Sequence, residues 1–86
     1  MYVYDDQKEM LFTDEGQKMF LKIRDRTNAL LEKAGAVRML EMLSGTSGDS
    51  WSQMACVDRM VELGEIKELT NDKVAGQHRV FVSNKN

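Results

Sequence analysis

The chain has 86 residues, of which 42% are hydrophobic and 30% charged, with a formal net charge of −2 and a pI near 5.3. This composition fits one small globular domain and excludes an intrinsically disordered chain, which has fewer apolar residues. No apolar run reaches the roughly 20 residues of a membrane-spanning helix, and the acidic balance lowers the expectation of a nucleic-acid partner.

The single cysteine, Cys56, has no second cysteine with which to form an internal disulfide. A lone thiol is typical of proteins that are kept in a reducing compartment. The first residues also include Asp5 and Asp6, where a secretory signal has a basic and then an apolar region. We therefore expect a cytoplasmic protein with no membrane contact.

Residues 2–12 combine aromatic and β-branched side chains with an acidic turn. The aromatic stretch at 2–4 is followed by Asp5-Asp6 and then by the apolar residues 10–12. Such a pattern predicts one strand or a short hairpin. Helix is the open alternative, because residues 8–10 (KEM) suit a helix equally well.

A long amphipathic helix is predicted over residues 14–34. Thr13 is a suitable N-cap, and Gly35 is a suitable stop. The helix is about 30 Å long at 1.5 Å per residue, which exceeds what a small bundle covers. We therefore predict a homodimer through its apolar stripe, the alternative being that the N-terminal segment covers this stripe. The stripe consists of Met19, Phe20, Ile23, Leu30 and Leu31.

Two further helices are predicted on either side of a glycine-rich connection. Residues 36–43 (AVRMLEML) are apolar on most sides and predict a short central helix. Residues 44–48 (SGTSG) interrupt it. The third helix is predicted over residues 50–63, where Ser50 and Gln53 match the spacing of a capping box.

A two-stranded hairpin is predicted over residues 65–83, after the helix stop at Gly64. The first strand covers 65–69 and the second 78–83, with a loop between them that contains Asn71-Asp72 and Gly76. In the second strand, the alternation of a sheet places Val80 and Val82 on one face and Arg79 and Phe81 on the other.

The order helix, glycine, strand, loop, strand over residues 50–82 resembles the winged helix-turn-helix superfamily. Met60, Gly64 and Ile66 resemble the end of a recognition helix and the opening of a wing, and residues 78–82 (HRVFV) resemble the returning wing strand. The resemblance implies one α+β domain over residues 1–86. This domain has three helices followed by a two-stranded β wing, and the N-terminal strand or hairpin is an addition to it.

DNA binding is the function that this resemblance implies, with the third helix in the major groove and the wing on phosphates. A transcriptional regulator that binds duplex DNA is the corresponding class of protein. The implied DNA contacts are Ser52, Gln53 and Arg59 on the helix and Lys73, His78 and Arg79 on the wing.

The charge of the third helix favours a protein partner instead. Between Asp49 and Glu65 this region has four acids and only one base, Arg59, and carboxylates repel a phosphate backbone. The connection at residues 44–49 is also longer than the usual turn of about three to four residues. The alternative function is therefore a protein-interaction adaptor that binds through Trp51, Asp58 and Glu62.

No combination of residues in the sequence indicates catalysis. His78 is the only histidine and Cys56 the only cysteine, whereas nucleophilic catalysis and metal binding need partners at defined spacing. The segment 44–50 lacks the lysine of a phosphate-binding loop. We expect a protein with no enzymatic activity, no metal and no cofactor.

Overall fold

The computed structural model describes residues 1–70 and 74–84, which form an α+β domain of 30 × 27 × 24 Å. Its three strands form one antiparallel sheet in the order β1-β3-β2. The elements are α1 (Tyr4–Gln7), a first 3₁₀ helix (Lys8–Phe12), α2 (Asp14–Ala34), β1 (Ala36–Arg38), α3 (Met39–Leu43), α4 (Ser50–Glu62), β2 (Ile66–Glu68), a second 3₁₀ helix (Gly76–His78) and β3 (Val80–Ser83).

Helix α2 spans the predicted residues 14–34 and has the predicted caps. The Thr13 hydroxyl accepts a hydrogen bond from the Gly16 amide at 3.0 Å, which satisfies one of the amides left free in the first turn. Gly35 ends the helix with φ of 76°, a left-handed conformation that glycine adopts without steric cost.

The prediction of a strand or hairpin at residues 2–12 is wrong, because Tyr4–Phe12 is helical. The segment lies along α2 and α4 instead of pairing with the sheet. Leu11 is 1% exposed and anchors it in the core. Helix satisfies the backbone locally, for example from Asp6 N–H to the Val3 carbonyl, and places Leu11 and the aromatic rings of Tyr2 and Tyr4 against the core.

The second predicted helix, residues 36–43, is only partly helical. Ala36–Arg38 forms β1, which pairs with β3 so that Val37 lies opposite Phe81. Helix α3 covers only Met39–Leu43. The left-handed turn at Gly35 directs the chain back along the sheet, and Val37 and Phe81 are then buried together at 2% and 0% exposure.

Helix α4 occupies residues 50–62 of the predicted range 50–63, but its N-cap differs from the prediction. Asp49 is the cap, and its carboxylate accepts hydrogen bonds from the Ser52 amide at 3.0 Å and the Ser52 hydroxyl at 2.6 Å. The Gln53 side chain does not return to the cap, because it donates to the carbonyl and hydroxyl oxygens of Thr46. The glycine-rich connection is thereby fixed to α4.

The predicted hairpin forms with shorter strands, since β2 and β3 pair from Ile66↔Ser83 to Glu68↔Phe81. His78, predicted to open the second strand, belongs to the second 3₁₀ helix. Phe81 is buried, and the neighbouring Val80 and Val82 are half-buried. The predicted loop residues Asn71, Asp72 and Lys73 lie outside the described residues.

The apolar stripe of α2 is used within the chain. Phe20 and Ile23 are 6% and 0% exposed, so these two residues cannot form the predicted dimer interface. Met19, Leu30 and Leu31 are half-buried against the same core. The α4 helix and the N-terminal segment cover the stripe, which agrees with the alternative that this segment, although helical, covers it.

We predict that Gly16→Ala destabilises the protein by about 2–3 kcal/mol, as overpacking commonly does. A Cβ at residue 16 would lie 1.9 Å from the Met10 carbonyl oxygen, which is backbone and cannot turn aside. Urea denaturation measures the effect. Gly35→Ala is the matched control, because its left-handed φ has a cost of about 1–2 kcal/mol but no atom lies within 4 Å. Equal effects of the two variants would contradict the prediction.

Candidate functional site

The outward face of α4 is covered by the chain's own N-terminal segment. We call residues 2–12 the N-terminal strap, and we call the surface formed by Trp51, Asp58, Arg59 and Glu62 the α4 face. Positions 51, 58 and 62 are seven and four residues apart, so helical geometry places them on one side. The strap contacts α4 through both α1 and the first 3₁₀ helix.

A chain of hydrogen bonds and ion pairs joins the strap, α4 and the hairpin. Tyr2 donates its hydroxyl to Asp58 Oδ2 at 2.6 Å, and Arg79 Nη2 donates to Asp58 Oδ1 at 2.7 Å. Arg79 also holds Glu68 through two bonds, from Nη2 at 2.7 Å and from Nε at 3.0 Å. The Thr70 hydroxyl completes the arrangement by donating to Glu68 Oε2 at 2.7 Å. We call these groups the Arg79 cluster.

The Arg79 cluster is largely withdrawn from water, since the side chains of Arg79 and Asp58 are 16% and 17% exposed. The hydrogen bonds from Arg79 lower the pKa of Glu68. Burial disfavours the guanidinium cation, but its hydrogen bonds to Glu68 and Asp58 more than offset this effect and raise the pKa of Arg79. Burial, together with the bond to Asp58, raises the pKa of Tyr2. All three groups therefore keep their charge state across the neutral range.

A second, more exposed group of contacts surrounds Glu62 near the end of α4. Its carboxylate accepts from Lys8 Nζ at 2.7 Å, from Arg59 Nη1 at 2.7 Å and from the Tyr4 hydroxyl at 2.9 Å. These bonds, the one from Lys8 first, lower the pKa of Glu62 from 4.5 to about 2. The Arg59 guanidinium also lies over the Phe12 ring, 5.4 Å from its centroid. The strap thus contacts α4 through the hydroxyls of two tyrosines, the ammonium group of Lys8 and the ring of Phe12.

The residues expected to contact DNA lie in different environments. Arg59 and Arg79 are both paired with carboxylates of the chain. Ser52 is 6% exposed and bonded to Asp49, while Gln53 is bonded to Thr46. His78 is exposed on the second 3₁₀ helix. Lys73 lies outside the described residues.

The residues expected to contact a protein share the α4 face. Trp51 is 42% exposed, and its ring meets that of Tyr2 edge-on at a centroid distance of 6.5 Å. Asp58 and Glu62 each accept a hydrogen bond from a tyrosine hydroxyl of the strap. Sequence reasoning did not assign this role to Tyr2, Tyr4 and Lys8, although the spacing of four residues between Tyr4 and Lys8 was a signal that both side chains share a helix face.

An apolar groove of about 340 Å³ lies beside the start of α4, between this helix and α3. Leu40 is 51% exposed at its edge, and Met54 is half-buried in its wall. The sequence does not indicate this groove, because residues 36–43 predict one central helix and the groove forms only where α3 begins at Met39. The residues that line it are Met39, Leu40, Leu43, Ser44, Ser50, Gln53, Met54 and Gln77.

Neither nucleophilic catalysis by Cys56 nor metal binding is favoured by the arrangement of the described residues. Cys56 is 0% exposed, and burial raises the pKa of its thiol to about 12, which makes it a poor nucleophile at neutral pH. Within residues 1–70 and 74–84, no group of three or more His, Cys, Asp or Glu side chains is placed to hold a metal ion.

Comparisons with family models, with curated proteins and with solved structures found no match for this chain. Among the described residues, no helix has the length and apolar character needed to cross a membrane. The assignment of function therefore depends on the geometry of the α4 face and its surroundings.

We predict that Glu62→Gln lowers stability at neutral pH and that its difference from the wild type disappears in acid. The depressed pKa of Glu62 means that its contribution is complete above 4.5 and is lost as the pH falls towards 2. Urea denaturation at a series of pH values measures the difference in free energy of unfolding. Glu32→Gln, an exposed glutamate on α2, is the control. A difference from the wild type that is the same at pH 7 and pH 2 would contradict the prediction.

Proposed function

We propose that this chain is a non-enzymatic winged-helix-like binding module whose partner is a protein. The helix, glycine, strand order from α4 to β3 supports the winged-helix part of the proposal. The three-stranded sheet supports it too, because β3 returns between β1 and β2 as a wing strand next to a helical bundle. A cytoplasmic setting fits the single buried thiol of Cys56.

The observation that carries the protein-binding proposal is the internal neutralisation of the two arginines expected on DNA. Arg79 lies 2.7 Å from carboxylate oxygens of both Asp58 and Glu68, and Arg59 lies 2.7 Å from one of Glu62. Phosphate binding gains its free energy when free cations displace counterions from the backbone. A guanidinium that already holds carboxylates contributes little of this gain, and the acids beside it repel phosphate.

The surface around the start of α4 has the character of a protein interface. Trp51 is a large, partly exposed ring of the kind that dominates interface energetics. The neighbouring groove offers Leu40 and Leu43, together with Met54, whose unbranched side chain adapts to different partners. Polar side chains such as Ser50 and Gln77 form part of its lining, and apolar contacts among a few polar groups are usual at binding sites.

Duplex DNA is the second candidate, and the charges near the hairpin favour it. His78 and Lys67 are exposed there, and neither has an ion pair among the described residues. In this case the wing, rather than α4, provides the contacts, because phosphate contacts can come from loops and strands as well as helices.

The DNA candidate predicts salt-sensitive binding to a labelled duplex of mixed sequence, measured by fluorescence anisotropy at physiological salt and then at higher salt. Our proposal predicts an affinity no tighter than about 0.1 mM, the weak end of non-specific binding. A tighter affinity that falls with salt, and that Lys67→Ala or His78→Ala weakens, would establish DNA as the partner. Lys33→Ala on α2 is the control for a general loss of positive charge.

The protein candidate predicts that Trp51→Ala weakens partner binding without unfolding the domain. Loss of an interface tryptophan has a typical cost of about 2 kcal/mol, or roughly 30-fold in affinity. The measurement is capture from nuclease-treated native extract on immobilised chain, followed by titration of the captured protein. Leu21→Ala, at an exposed leucine on α2 (48% against 42% for Trp51), is the matched control. Equal capture by both variants would contradict the prediction that Trp51 belongs to the partner interface.

A further inference from the structure

The N-terminal strap is attached to the rest of the molecule unevenly along its length. Its second part is anchored, because Leu11 is 1% exposed and Gln17 donates to the Leu11 carbonyl at 2.6 Å. Its first part, α1, contains no buried residue. Tyr2, Tyr4 and Lys8 join the strap to α4 through their side chains, and the two tyrosine rings are only partly buried where they pack against the core. The contacts that residues 2–8 make with α4 are therefore separate from those that hold Leu11 in the core.

The contacts of the first part are those of a bound peptide. Tyr2 and Tyr4 donate hydroxyls to Asp58 and Glu62, and Lys8 forms an ion pair with Glu62. The Tyr2 ring also packs edge-on against Trp51. A helical segment that anchors through side chains three to four residues apart is a recurring form of peptide ligand.

The charge of the strap does not match the surface that it covers. Residues 2–12 contain Asp5, Asp6 and Glu9 against one lysine, and all three acids are exposed. On the α4 face below them, Asp58 and Glu62 are already paired with Arg79 and Arg59, so the face offers no free cation to these acids. Within the part of the chain that the structure describes, the three acids form no ion pair, so they add no attraction to the contact. A segment with the same aromatic and basic side chains but without these acids is a better occupant of the face than the strap itself.

We propose that residues 2–8 act as a displaceable internal occupant of a peptide-binding surface. The occupant that replaces them is a short helical segment of a partner protein that carries tyrosine and lysine four residues apart and few acids. This inference rests on the proposed function, since it names the surface and the chemistry of the protein partner. Displacement of the strap exposes Trp51 more fully and frees Asp58 and Glu62 to accept the hydroxyl and ammonium donors of the partner.

Competition between strap and partner has a defined signature. The apparent dissociation constant of a peptide equals its intrinsic value divided by the fraction of molecules in which the face is open. A substitution that loosens the strap raises this fraction and so tightens binding, whereas a substitution on the α4 face itself weakens it. A purely structural strap produces no tightening in any variant.

The test uses the full chain and a labelled synthetic peptide with the sequence of residues 1–12, in which Asp5→Asn, Asp6→Asn and Glu9→Gln remove the acids. The loosened chain carries Tyr4→Phe and Lys8→Ala, which remove two donors to Glu62. Fluorescence anisotropy is expected to show the peptide binding the loosened chain at least about fivefold more tightly than the wild type. Hydrogen exchange is expected to be faster in residues 4–7 and unchanged in α4.

Matched controls locate the binding surface. Glu62→Gln in the loosened chain is expected to weaken peptide binding, whereas Glu32→Gln on α2 leaves it unchanged. The peptide with its native acids is expected to bind more weakly than the neutralised one. Tyr4→Phe alone, which keeps the ring and removes one hydroxyl, replaces the double variant if that chain does not fold.

Three outcomes would overturn the inference. These are no binding of the neutralised peptide to any chain, equal affinity for the wild-type and loosened chains, and equal affinity with and without the Glu62 carboxylate. Failure of the proposed function has a different signature. It appears as duplex binding, or as capture that does not depend on Trp51, whatever the peptide does.

Discussion

The pairing of Arg79 with two carboxylates is the interaction on which the rest of the site depends. The guanidinium lies between Asp58 of α4 and Glu68 of β2, while Arg79 itself directly precedes β3. One side chain therefore fixes the helix against the hairpin. Removing it would leave two partly buried carboxylates without their cation, a much larger cost than the net value of the pairs. The same pairing withdraws the charge that a DNA-binding wing would need.

The strap adds a second constraint, because it turns the exposed side of α4 into an internal interface. Its anchored part, around Leu11, completes the core that a chain of this size otherwise fills poorly. Its peripheral part, from Tyr2 to Lys8, contributes no buried residue and packs on the α4 face, which we propose as the partner surface. Stability and recognition thus divide along one short segment: the inner half is needed for the fold, and the outer half lies where a partner could bind.

Local signals predicted the elements that local chemistry determines. The helix at 14–34 follows from the Thr13 cap, its apolar spacing and Gly35, and the hairpin follows from Gly64 and the alternation around Phe81. β1 could not be predicted from residues 36–38, because Val37 is a strand residue only opposite Phe81, more than 40 positions away. The prediction for the strap was wrong for a similar reason, because the hydrogen-bond partners of Tyr2 and Tyr4 lie on α4, far away in the sequence. Helical periodicity alone was enough to predict that Trp51, Asp58 and Glu62 share one face of α4. The pairing of Arg79 could not be predicted in this way, because it depends on the tertiary fold.

The order of the sheet also constrains how the protein is made. β3 lies between β1 and β2 and, in residues 1–70 and 74–84, is the last of the strands along the chain. Neither edge strand can pair until Val80–Ser83 has emerged from the ribosome. Until then, the hydrophobic surface that includes Val37 and Ile66 is incomplete. A nascent chain that pauses before residue 80 therefore has no strand to join β1 to β2, and it leaves open the side of the core that Phe81 later closes.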